Sequence, residues 1–205
     1  MDATLDTYER AARFYDVWAA VFEGKVKRRC LAIAGQAARR AILDVGVGTG
    51  DLFVDLAKAH RGAELTGVDL SPAMLARART KLARLGLERH RLVRGDARSL
   101  PFDDASFDLV ISTYVVELLP IADYPAVLGE LCRVAQPGAT IVIAGVVESD
   151  EHRVARWLCR RNPAWQGGVD TARLERELAA AGARVSGSEL ISEKGFPARV
   201  VVAER

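Results

Sequence analysis

The sequence predicts an α/β fold, a seven-stranded and mostly parallel sheet with an antiparallel terminal strand, flanked by helices and preceded by a helical N-terminal cap. Three observations carry this expectation. From residue 41 short β-branched runs alternate with longer segments of helical spacing, the rhythm of successive βαβ units. Most of the strand candidates are nearly continuous in apolar residues, as strands buried on both faces should be. Half of the 205 residues are hydrophobic and 27% are charged, so the chain has the apolar surface to build a core. That length fits a single domain over 1–205, with the cap at 1–38 and the α/β core at 39–205.

The strand candidates are Ala41 to Val45, Leu65 to Asp69, Arg91 to Arg94, Phe107 to Ser112 and Thr140 to Ala144. Between them lie Asp51 to His60, Pro72 to Leu85 and Tyr124 to Ala135, each with apolar positions three or four apart. Ser71 followed by Pro72 supplies an N-cap and a first-turn proline, and Gly86 stands where a left-handed C-cap is wanted. After the fifth strand a polar, Arg-rich stretch from Ser149 to Arg161 leads through a loop to a helix from about Thr171 to Ala181, closed by Gly182. Two more strand candidates, Arg184 to Leu190 and Ala198 to Ala203, are joined by a turn containing Gly195 and Pro197, which predicts an antiparallel hairpin. Ahead of the sheet, Tyr8, Ala11, Ala12, Tyr15, Trp18, Ala19 and Phe22 follow helical spacing with four aromatics on one face, and Lys25, Lys27, Arg28 and Arg29 come directly after.

Charge narrows the partners. There are 29 Lys plus Arg against 27 Asp plus Glu, and the 24 arginines are spread among acids, so no basic stripe tracks a nucleic-acid backbone. Cys30, Cys132 and Cys159 lie far apart with no CxxC pair, which argues against a disulfide framework and against a zinc or other metal site. The first residues are too polar for a signal peptide, and no apolar run approaches the roughly 20 residues that cross a bilayer. The expected location is cytoplasmic, at most peripheral to a membrane.

The segment Ile42-Leu43-Asp44-Val45-Gly46-Val47-Gly48-Thr49-Gly50-Asp51-Leu52 is the most informative in the chain. It reads as a buried strand entering a glycine-rich turn and then a helix, a place where backbone approaches a ligand and amides face it. The glycines run G-x-G-x-G, unlike the G-x-G-x-x-G of a dinucleotide site, and Asp44 stands two residues before the first, badly placed beside a pyrophosphate but well suited to a cationic amino group. Asp69, 19 residues after Gly50, sits at the tip of the neighbouring strand, where an acid accepts both ribose hydroxyls. Asp96, in Arg94-Gly95-Asp96-Ala97, closes the third strand, where a carboxylate can receive an adenine amine. Three acids thus fall at three successive strand ends, the edge at which open α/β sheets bind ligands.

In order and spacing, ILDVGVGTGDL, GVDLSPAMLARAR, RGDARSLPFDDASFDLVIS and ELCRVAQPGATIVIA resemble the motifs of the class I S-adenosylmethionine-dependent methyltransferases, whose fold is Rossmann-like. The flavour is the ubiquinone/menaquinone-biosynthesis type, called UbiE-like or methyltransferase type 11. The resemblance implies S-adenosyl-L-methionine as cofactor, with Asp44, Gly46, Gly48 and Gly50 on its methionine part, and Asp69 on the ribose. Leu70 and Met74 would lie near the adenosine, Asp96 and Ala97 would read the adenine, and Ser112 would lend backbone beside the methyl. Tyr8 and Tyr15 match aromatic positions that close over the cofactor in such enzymes.

Methyl transfer mainly requires alignment and exclusion of water, so a general base is optional. The candidates after strand ends are Tyr114, Glu117 and His152, whereas His60 and His90 read as solvated surface. Thr113 to Pro120 departs from the quinone-type pattern and resembles small bacterial phospholipid N-methyltransferases. The expected acceptor is therefore a small molecule or a lipid, with phosphatidylethanolamine and a quinone as alternatives. The N-terminal helix then reads as packed on the domain, as a lid, or as an amphipathic contact with a membrane surface. Two other classes stay open, a non-catalytic S-adenosylmethionine binder and an NAD-dependent oxidoreductase.

Overall fold

The computed structural model describes residues 23–87, 89–147 and 168–205. Seven strands form one sheet in the order β3-β2-β1-β4-β5-β7-β6. They are β1 (Ala41–Val45), β2 (Glu64–Asp69), β3 (Arg91–Arg94), β4 (Phe107–Thr113), β5 (Ala135–Val146), β6 (Arg184–Glu193) and β7 (Phe196–Glu204). The first five run parallel, and β7 lies antiparallel between β5 and β6. Chain order reverses between β1 and its neighbours β2 and β4, and Asp44 pairs with Gly67 on one side and Ile111 on the other. That reversal opens a crevice at the carboxyl ends of the strands, where α/β sheets take ligands.

The inner strands are buried on both faces, which is why they read as apolar runs. Leu43, Val45, Val110, Ile141 and Ile143 point to one core cluster, and Ile42, Leu109, Ile111 and Val142 to the other, alternating with the pleat. Helices α1 (Gly24–Ala34), α2 (Asp51–Ala59) and α3 (Pro72–Arg84) cover the second cluster; α4 (Tyr124–Val134) and α5 (Thr171–Ala180) cover the first.

The caps form as the sequence implies. Ser71 Oγ accepts from Met74 N at 3.3 Å and Pro72 opens α3. At its other end Gly86 has φ +65°, with Gly86 N donating to Ala83 O and Leu87 N to Leu82 O, the paired bonds of a Schellman ending. Asp170 caps α5 by accepting from Arg173 N at 3.0 Å.

Four features differ from the sequence expectation. Helix α1 begins at Gly24, where only a basic run was read, and buries Val26, Cys30, Ile33 and Ala34. Strand β5 begins at Ala135 rather than Thr140, because Ala135 already pairs with Phe107 ahead of a bulge. The β6–β7 turn is Lys194–Gly195, both at positive φ as a tight two-residue hairpin requires, so Pro197 falls inside β7, near its start. His90 is 8% exposed with its ring edge-on to Phe53, so it is not solvated surface, whereas His60 is half-buried with its Nε2 covered. Tyr8, Tyr15, His152, Cys159 and the aromatic stripe up to Phe22 lie outside the described residues.

Candidate active site

The bend after β1 is made by three glycines in the left-handed region, Gly46 (φ +77°), Gly48 (φ +54°) and Gly50 (φ +86°). Gly46 N and Val47 N both donate to Val68 O, at 2.8 and 3.0 Å, so the loop folds back across the end of β2. A Cβ on Gly46 would stand 2.1 Å from Val115 Cγ2. Gly50 is the N-cap of α2, against Ala78 of α3. The loop is also tied down from the neighbouring strand. Asp69 at the tip of β2 accepts from Gly48 N through Oδ2 and from Ser71 N through Oδ1, each at 2.8 Å. Lys81 of α3 donates to Asp51 Oδ1 at 2.6 Å and to Thr49 Oγ1 at 3.4 Å.

Asp44 lies beneath this loop, 2% exposed, and its Oδ1 has no hydrogen-bond partner among the described residues. Burial, reinforced by the Asp69 charge, pushes its carboxyl up to about 7. Burial also raises Asp69, opposed by hydrogen bonds from Ser71, Gly48 and Leu70. A cleft of about 190 Å³ opens over Asp44, walled by the loop Gly46 to Thr49, by Glu23 and Lys27 at the start of α1, and by Thr113 and Tyr114 beyond β4. Lys27 pairs with Asp55 at 3.0 Å.

Tyr114 turns the chain out of β4 at φ +58°, a rare conformation for a residue with a side chain, and its N–H donates to Ala144 O at 2.7 Å. Burial, then the charges of Glu23 and Glu117, raise its phenol. The hydroxyl keeps its proton at neutral pH, which narrows the base candidates among the described residues to Glu117. Glu117 is 4% exposed in the short 3₁₀ turn Val116–Leu118; its Oε1 accepts from Val146 N at 3.1 Å, and Oε2 has no partner among the described residues.

The structure therefore brings Asp44, Gly46, Gly48 and Tyr114 into one cleft and bonds Asp69 to its loop. Leu70 is 37% exposed on the same sheet edge, while Met74 and Ser112 are buried and line no part of the cleft. Asp96 follows β3, and Arg98 holds it, the guanidinium touching both carboxylate oxygens and the Arg98 N–H donating to Oδ1. That pairing keeps Asp96 below the usual carboxylate range. Ala97 beside it is half-buried. Neither Asp96 nor Ala97 lines the cleft. Sequence reasoning missed Glu23, Lys27, Thr49 and Asp51; the signal for the first two was the apolar spacing of Val26, Cys30 and Ile33, which defines α1.

A mostly parallel sheet with a glycine-bordered cleft at its switch point is the architecture of a ligand-binding α/β protein. Residues 42–138 match a family model described as a methyltransferase domain. A demethylmenaquinone methyltransferase of Thermus thermophilus is 44% identical over 117 residues, 57% of this chain and 52% of that protein. A phosphatidylethanolamine N-methyltransferase of Cereibacter sphaeroides is 36% identical over 156 residues, 76% of this chain and 73% of the relative. The fold is shared with magnesium protoporphyrin IX methyltransferase from Synechocystis PCC 6803, solved with bound SAH, at a TM-score of 0.69 and 19% identity over 97% of this chain and 84% of that one. The chain belongs to the class I S-adenosylmethionine-dependent methyltransferases. It spans about half the length of the Thermus relative.

Proposed function

We propose that this protein transfers the methyl group of S-adenosylmethionine to a small-molecule or lipid-like acceptor, as a single functional unit over 1–205 with the cap at 1–38. The observation that carries the reading is Asp44. A buried carboxylate oxygen with no partner among the described residues, under a glycine-rich loop in which Gly46 has no room for a side chain, fits the ammonium group of an amino acid. Gly46, Gly48 and Gly50 would seat the rest of the methionine part. The Asp69 carboxylate accepts from the backbone of Gly48, Ser71 and Leu70 and keeps lone-pair capacity for a ribose hydroxyl. Leu70 and Met74 would flank the adenosine, Asp96 and the Ala97 amide the adenine, and Ser112 backbone the methyl. Tyr8 and Tyr15 would close over it.

Bound there, the cofactor supplies a methyl already activated by its sulfonium, so the chain's work is placement. Asp44 and Asp69 fix the two ends of the ligand against the loop. Tyr114, locked by its bond to Ala144, holds the wall facing the acceptor and excludes water.

Among acceptors, a phospholipid amine is the favoured class, because a phosphatidylethanolamine N-methyltransferase matches over 76% of this chain and 73% of its own length. Among the described residues no helix is long and apolar enough to cross a membrane, so contact with such a substrate would fall to the aromatic N-terminal segment. The test has two parts. S-adenosylhomocysteine, and not NADH, should raise the melting temperature. Labelled cofactor should then pass its methyl to phosphatidylethanolamine, a quinol or a phenol; tight binding with no transfer to any of them would instead leave a non-catalytic binder.

A further inference from the structure

Outside the glycine cleft, Glu117 is an acid only 4% exposed whose Oε2 has no partner among the described residues. A carboxyl needed only to cap Val146 N–H would need only Oε1. Oε2 is left buried and without a partner among the described residues, a cost that folded chains mostly avoid and that concentrates at functional sites. Its approach to β5 is permitted by Gly145, where a Cβ would stand 2.5 Å from Oε2 and 2.7 Å from Val169 Cγ2, so the carboxylate lies against bare backbone.

Its position relates it to the cleft. Strands β4 and β5 end side by side, with Thr113 paired to Ala144, and Thr113 and Tyr114 form the cleft wall. Glu117 comes one turn later on that edge, on the side of β1 away from Asp69. The groups that face it are the Tyr114 phenol from β4 and the Tyr124 phenol from α4, the latter beside Asp170 and Arg173 at the start of α5. The cleft itself presents Glu23, Asp44 and Asp51 against Lys27, with Asp51 paired to Lys81, a lining in which acids outnumber bases.

Resting on the methyl-transfer reading, we infer that Glu117 is the acceptor-side carboxylate of an N-methyltransferase, holding a primary or secondary amine and taking its proton on Oε2. The ammonium N–H gives its proton to Oε2 and so frees the nitrogen lone pair. That pair forms the carbon–nitrogen bond as the carbon–sulfur bond breaks, and the electrons of the broken bond stay on sulfur. The positive charge passes to the methylated nitrogen, and the proton on Oε2 returns to water. Burial pushes the Glu117 carboxyl up to about 7, close to the working pH at which such a base is most effective.

The experiment uses the full chain, labelled S-adenosylmethionine and phosphatidylethanolamine dispersed in detergent, with kcat followed from pH 5.5 to 9.5 and S-adenosylhomocysteine affinity measured alongside. Wild type should show an acid limb with its midpoint near 7. Glu117→Gln should lower kcat at pH 7.5 by about 100-fold, with cofactor-product affinity within about threefold. Its remaining rate should climb with pH toward the amine's own pKa, about 10. Glu117→Asp, which keeps a carboxyl, should recover part of the loss. Unchanged kcat and an unchanged limb in Glu117→Gln overturn the inference, and if that variant does not fold, a wild type without a limb between 6 and 8 overturns it equally. Wild type that binds the product and methylates a quinol but not the amine overturns this inference alone. Wild type that does not bind S-adenosylhomocysteine overturns the reading beneath it.

Discussion

The two halves of the sheet's C-terminal edge are built by different means. On the β1–β2 side the ligand-facing parts are backbone bends and strand-tip carboxylates fastened to one another, with Asp69 gripping Gly48 and Ser71, and Lys81 gripping Asp51. On the β4–β5 side they are single side chains, Tyr114 and Glu117, each fixed by one backbone bond to β5. The first half is held rigid because its parts bond one another. The second is free to vary with the acceptor, since changing one side chain there disturbs no shared network.

Substitutions should therefore separate binding from transfer. The largest effect is expected at Gly46→Ala, where the added carbon meets Val115 Cγ2 and the backbone is left-handed. S-adenosylhomocysteine affinity should fall by more than about 100-fold, or the protein should lose its cooperative melt, at a cost of roughly 1–3 kcal/mol for the strained backbone alone. Calorimetric titration and circular dichroism check both. Asp69→Ala should weaken binding by about tenfold or more, because Gly48 N and Ser71 N lose their acceptor along with the ribose. Retention of full affinity by that variant would remove the loop-to-strand tie from the account.

Asp44→Asn sharpens the comparison through its sign. The buried Asp44 carboxyl has its pKa raised, so its ionised form penalises the folded protein above about 7, and the penalty is relieved as pH falls toward the ordinary carboxylate range. At pH 8 the ligand-free Asn variant should be more stable than wild type, by on the order of 2 kcal/mol. It should still bind S-adenosylhomocysteine about tenfold more weakly. Wild-type affinity should also fall below pH 7 as Asp44 gains its proton, and that slope should vanish in the variant. The smallest effect is expected at Arg98→Ala: its ion pairs to Asp96 and Asp123 are solvent-exposed, so melting should shift by less than the equivalent of about 1 kcal/mol.

The same contrast explains what could be read in the chain. Strands β1 to β4, the Ser71–Pro72 start and the Gly86 end were legible because each is specified by neighbours in sequence: apolar runs, a capping hydroxyl, a glycine at positive φ. Asp44, Asp69 and the glycines were legible for the same reason. What was not legible depends on contacts between distant residues. The burial of His90 against Phe53, the early start of β5 through the Ala135–Phe107 pair, and the Glu23 and Lys27 wall of the cleft are all set by tertiary packing. Glu117 could be named from its place after a strand, but its unpaired oxygen appears only once Val146, Gly145 and Val169 surround it.

The claim beneath all of this is that Asp44, Asp69 and the Gly46–Gly50 bend form a seat for an aminoacyl nucleoside. Calorimetric titration of the full chain with S-adenosylhomocysteine, in parallel with NADH, tests it most directly. Saturable binding of S-adenosylhomocysteine at pH 8, weaker at pH 6 and absent for NADH, is the expected result. No binding, or equal binding of both nucleotides, would contradict it.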